Sequence, residues 1–329
     1  MAAEIQTEPH GRETADALPD GAIGNAGATR ADPPRWARGG GGAAVALLLS
    51  ILIVWAAMLF LPGLASRVGS LPDAPLPLAR AVETRAVLLA SAGVVAGALL
   101  IAWLMRQRIA LGMKRPGLIV AAFPAGALGI ATALALSWAA GAATLVSDRA
   151  VVGGGAVLLL GALLVGWSAL AEELMFRGVV QPLLQRAWGG APAVVLSAAA
   201  FTVAHYLGGW RDPLSLLNIF GAAVWFGLLA LRTGGVLAPW LAHIGWNGVE
   251  ALLFGASPNP GIGAYGSWID VDLAGAATLG GSVEGLNASL TVTLVLAALI
   301  APLAAGMVRR TKGWPEWKRD DERQHLRIP

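Results

Sequence analysis

Ionisable and amide side chains gather inside three of the long apolar runs of this 329-residue chain. The run at 154–184 holds Glu172, Glu173 and Arg177, in the string Ala171-Glu-Glu-Leu-Met-Phe-Arg177. The run at 190–208 holds His205, four residues after Phe201, and the run at 235–254 holds His243, Asn247 and then Glu250. The other two histidines, His10 and His325, lie near the chain ends. An ionisable group within a hydrocarbon-length segment is expensive and by default marks a functional site.

Helix geometry divides these residues by task. At about 100° per residue, Glu173 and Arg177 lie about 40° apart, at ion-pair spacing, while Glu172 lies about 140° from Arg177. Glu173–Arg177 therefore reads as a structural ion pair and Glu172 as the working carboxylate. His243 and Asn247, also four apart, project from one face. Asn247 donates through its amide and His243 donates or accepts, so together they suit an oxyanion. His205 reaches Glu172 only if its run packs on the preceding one, which the short 185–189 connection favours. A Glu/His pair with a His/Asn pair, reached by water, is a hydrolytic constellation. Taken singly, each residue is explained as well by interhelical hydrogen bonding, worth about 0.6 kcal/mol. Six on three runs are not. Phe201 reads as packing, and Glu250 as lying near the far interface, outside the site.

The elements that must position these groups belong in lipid. Hydrophobic residues make up 56% of the chain and charged residues 13%, with a mean hydropathy of +0.66. Soluble domains carry about 25% charge. With no cysteine, disulfides, a thiolate nucleophile and Cys-ligated metal centres are excluded. The expected fold is an all-α polytopic membrane protein, about eight transmembrane helices in one bundle with a buried polar site. The apolar runs are 43–65, 86–105, 117–145, 154–184, 190–208, 214–231, 235–254 and 289–308. The first lies too far from Met1, and is too long, for a cleaved signal peptide.

Residues 1–40 are expected to be a disordered cytoplasmic tail, 41–308 the bundle, and 309–329 a basic cytoplasmic tail. Residues 255–288 read as a Gly-rich loop, extramembrane or partly re-entrant, with Asp270, Asp272 and Glu284 but no Lys or Arg. Basic residues stay on the cytoplasmic side. Eight spans with both termini inside put 16 Lys and Arg, counted from Arg30 onward, on that side and 5 on the other, in what is expected to be a bacterial cytoplasmic membrane. The net charge of +3 is spread over ends and loops, which argues against a nucleic-acid partner. Trp188 and Trp210 bracket the fifth run and read as lipid-facing interfacial anchors. Gly93 and Gly97 form a GxxxG pattern that permits close helix approach but implies no dimer, and the oligomeric state stays open.

In this order, the residues resemble the CPBP intramembrane protease family, also called the Abi or CAAX-protease-like family. That family shows Glu-Glu-x-x-x-Arg, Phe-x-x-x-His and His-x-x-x-Asn/Asp motifs on successive helices. Here they read Glu172-Glu173-x-x-x-Arg177, Phe201-x-x-x-His205 and His243-x-x-x-Asn247. The likeness covers about 150–255. It implies an intramembrane endopeptidase acting on a membrane-associated peptide or protein, prenylated or not. Glu172 and His205 would activate water while His243 and Asn247 hold the oxyanion. It also admits a zinc metalloprotease with Glu172, His205 and His243 as ligands. The metal-free general-base reading is preferred, because no His-Glu-x-x-His helix is present.

Other readings fit less well. An aspartyl intramembrane protease needs two mid-span aspartates, and a serine type at Ser168 leaves both glutamates and Asn247 unexplained. Ser168 reads instead as helix packing or as bonded back to its own turn. A proton-coupled transporter would use buried Glu and His as a relay, but no inverted repeat is visible. A catalytically dead adaptor would not need intact motifs.

Overall fold

Strings of Ala, Val, Leu and Ile nearly free of charge are apolar around the whole helix, which suits segments whose faces meet either neighbours or lipid. In the computed structural model, which describes residues 39–66, 76–146 and 154–312, they build nine helices among the described residues. These are α1 (Gly39–Ser66), α2 (Leu76–Leu104), α3 (Pro116–Ala139), α4 (Gly154–Glu173), α5 (Gln181–Trp188), α6 (Gly190–Gly208), α7 (Pro213–Thr233), α8 (Leu237–Gly248) and α9 (Leu290–Lys312). A π turn, Leu174–Val180, joins α4 to α5 into one segment, and a second, Val249–Leu253, prolongs α8. Among the described residues six segments are long and apolar enough to cross a membrane, and Leu290–Ala305 is a shorter apolar helix. The protein is an all-α polytopic membrane bundle. Nearly all of the two expected tails lies outside the described residues.

Two of the runs end differently from their expectation. The 117–145 run is helical only to Ala139; Gly141 takes a positive φ of 74°, and Ala143–Leu145 then forms strand β1. It pairs antiparallel with β2 (Val271–Leu273), Ala143 opposite Leu273 and Leu145 opposite Val271. A short apolar run does not by itself distinguish strand from helix. The 235–254 run holds only twelve α-helical residues before its π turn.

The segment after α8 is a packed cover rather than a free loop. Arg80 on α2 donates to the Ala264 carbonyl (2.9 Å), and Thr84 and Tyr265 share a hydrogen bond (2.9 Å). Asn259 accepts from the Leu273 amide (2.8 Å), and Asp272 accepts from the Gly261 amide (2.8 Å). A 3₁₀ turn, Gly285–Ala288, leads into α9.

Sequence fixes the helix ends that matter here. Asp212 caps α7 by accepting from the amides of Leu214 (2.8 Å) and Ser215 (3.2 Å), with Pro213 at the first position. Gly234, left-handed at φ 84°, stops the same helix. α3 and α8 cross with glycines on both sides. A Cβ on Gly126 would come within 2.1 Å of the Ala242 carbonyl oxygen, and one on Gly245 within 2.3 Å of that of Phe123. Gly97 of the GxxxG pattern meets Ile53 of α1, so that pattern serves a contact within the chain. The core has two clusters, one around Met175, Phe176 and Val180 and one around Trp225, Phe226 and Trp246. α7 supplies both, through Ala223 and Phe226 respectively.

The connections gather at two ends. At one, Lys114 N–H donates to Thr233 O (3.1 Å), Val236 N–H to Ala110 O (3.1 Å), and Arg186 to Gln107. At the other, β1 meets β2, and Glu284 accepts from the amides of Arg211 (2.6 Å) and Asp212 (3.0 Å). Arg106, Arg108, Lys114, Arg115, Arg186 and Arg232 thus lie toward the first end, and the acidic 255–288 segment forms the second.

Candidate active site

The site forms where the two core clusters meet, from residues of α4 with its π turn, α6 and α8. Glu173 is fully buried, and its Oε1 accepts from Arg177 Nη1 at 3.1 Å. Arg177 also donates through Nη2 to the Ala223 carbonyl of α7 (3.0 Å). Its guanidinium stands 4.8 Å from the ring centre of Phe201 and 5.5 Å from that of Phe226. Such contacts are worth about 2 kcal/mol when desolvated. Phe201 packs, and also roofs a cation. The π turn containing Arg177 widens the helix directly after the two glutamates, a distortion that recurs at functional sites.

His243 is tied to the same carboxylate. Its Nδ1 lies 3.0 Å from Glu173 Oε1, and its ring stacks on Phe226 with centroids 4.8 Å apart. This link between α8 and α4 crosses 70 residues of sequence and has no local signal. A carboxylate oxygen only accepts, so Nδ1 carries the proton and Nε2 is left for other work. The same logic holds for His205, whose Nδ1 donates to the Phe201 carbonyl at 2.9 Å.

His205, His243 and Asn247 line one small pocket of about 100 Å³, floored by Phe201, Phe226 and Trp246. Glu172 is half-buried, and its Oε2 is enclosed without a hydrogen bond among the described residues. Three of the four residues read as catalytic, His205, His243 and Asn247, thus share one pocket, and Glu172 is not among its lining residues. Among the described residues no three His, Asp or Glu side chains form a group able to hold a metal. Ser168 donates to the Val165 carbonyl of its own turn (3.2 Å).

Three neighbours add to the reading of the sequence. Trp210 is no simple lipid anchor: it lines the pocket, its ring centre 6.5 Å from that of His205. Glu250 is 5% exposed and lies in the π turn three residues after Asn247. Asn218, a mid-span amide on α7, also lines the pocket. It donates to the carbonyls of Asn287 and Ser289 (both 2.8 Å) and accepts from Thr293. Its position inside an apolar run was the signal that could have found it.

Residues 154–249 match the family described as Type II CAAX prenyl endopeptidase Rce1-like, a stretch containing all three motifs. No curated protein and no solved structure matches the chain. The matched family is one of membrane-embedded proteases.

Proposed function

Taking residues 154–249 as an Rce1-like type II CAAX prenyl endopeptidase core, we propose that the protein hydrolyses a peptide bond of a membrane-associated substrate with a water activated by Glu172 and His205. The observation that carries this reading is the convergence of His205, His243 and Asn247 on one pocket; Glu172, with an enclosed and unpartnered Oε2 among the described residues, is the carboxylate proposed to serve it. His205 presents an unprotonated Nε2, which orients the water while Glu172 takes its proton. Hydroxide attacks the scissile carbonyl, and the oxyanion receives hydrogen bonds from the Asn247 amide and from Nε2–H of a protonated His243. Glu173 supports that imidazolium as its counter-charge through Nδ1. Glu172 then returns the proton to the leaving amine, which closes the balance.

The zinc alternative uses the same residues, but their arrangement lends it less support. Both readings are separated by one set of measurements on protein purified in detergent. Glu172→Gln is expected to abolish cleavage of a membrane-peptide substrate while the melting temperature stays at the wild-type value. Wild-type cleavage is expected to survive dialysis against a chelator. Near-normal turnover of Glu172→Gln would overturn the general base. Stoichiometric zinc whose removal and return switches cleavage off and on would overturn the metal-free chemistry.

A further inference from the structure

A second cavity, of about 870 Å³, lies between α2, α4 and the 255–288 cover. It abuts the site at three places. Ser168 lines it four residues before Glu172, and Glu250 lines it three residues after Asn247, so each is one turn from its catalytic neighbour. Trp210 lines both spaces, its amide bonded to the His205 carbonyl (3.2 Å). A chain occupying the large cavity would thus run directly toward the pocket.

The polar lining is of one sign. Glu83, Glu250 and Glu284 face this cavity, and no Lys, Arg or His does so among the described residues. Glu250 is only 5% exposed, and its carboxylate has no hydrogen bond or ion pair there. Glu284 spends one oxygen on the amides of Arg211 and Asp212, while its Oε2 is enclosed with no partner among the described residues. Buried carboxylates are ordinarily paired, because desolvation without a partner is costly. Among the described residues no such partner is present, and the space for one is.

We propose that this cavity holds the substrate chain and that Glu250 selects a peptide carrying a Lys or Arg side chain close to the scissile bond. One helical turn is about 5.4 Å and an extended residue spans about 3.3–3.6 Å. The cationic residue therefore falls within about three positions of the cleaved bond. The assignment deepens the protease reading and rests on it for the meaning of that spacing, while the cavity's charge preference can be measured separately.

The test uses short acylated fluorescent peptides in which one Lys, or norleucine in its place, is walked along a neutral sequence. Binding to full-length Glu172→Gln protein in detergent is followed by anisotropy. A charge-assisted contact predicts that at least one Lys position binds about tenfold tighter than its norleucine twin. Glu250→Gln, checked for an unchanged melting temperature, should erase that ratio, and Glu250→Asp should keep part of it. Equal binding of the twins at every position, or a ratio that survives Glu250→Gln, overturns the proposal. Cleavage of the same peptides by the wild-type chain is read in parallel. Lys-selective binding with no cleavage of any peptide would sink the protease reading and leave the cationic site standing.

Discussion

Glu173 serves two donors with a single oxygen, while its other oxygen is buried without a partner among the described residues. Removing it strands the Arg177 guanidinium among aromatic rings and frees His243 to rotate. Loss of one member of a buried pair costs about 3–5 kcal/mol. Glu173→Ala is therefore expected to melt well below wild type in detergent and to lose cleavage, whereas Glu172→Ala loses cleavage alone. The reverse ranking of melting temperatures would exchange the two roles. Contacts within one turn, such as Glu173 with Arg177, are legible from spacing. The bond from His243 to Glu173 is not, because it depends on how α8 lies against α4. The place of Trp210 in the pocket was hidden for a related reason: residue type and position along a run say nothing of which side of the bundle a side chain faces.

The helices that carry the site are held by close backbone contact. Gly245 sits between His243 and Asn247 and touches the Phe123 carbonyl of α3, while Gly126 of α3 touches Ala242 in return. Adding one methyl group at Gly245 must push α3 and α8 apart, and overpacking of this kind costs about 1–3 kcal/mol. Gly245→Ala should lower the melting temperature and cut cleavage more than tenfold by moving both oxyanion donors. Gly166→Ala is the matched control, since its added carbon would meet only Ile244 at 3.8 Å. Equal activity of the two variants would show that the crossing does not position the donors. Element existence was readable from the apolar runs. The π turns and β1 were not, since apolar periodicity does not mark a π turn and a strand needs a partner, here 128 residues away.

At the scale of the whole bundle, Arg106, Arg108, Lys114, Arg115, Arg186 and Arg232 lie at one end, and the 255–288 segment, with acidic but no basic residues, covers the other. The cysteine-free sequence makes that polarity directly measurable with single introduced thiols. Leu111, 66% exposed, lies at the basic end, and Val283, 89% exposed, lies in the acidic cover. With the basic end held in the cytoplasm, a membrane-impermeant maleimide should label Val283→Cys in intact cells and Leu111→Cys only after permeabilisation. The opposite pattern would invert the orientation. The 870 Å³ cavity is bordered by Trp210, Asn259 and Glu284, all at the acidic end. On the expected orientation its mouth faces away from the cytoplasm. Substrates would then be polypeptides that have already been exported, taken from the outer leaflet, and a lipidated tail still tethered to the cytoplasmic leaflet would be out of reach of this enzyme's catalytic groups.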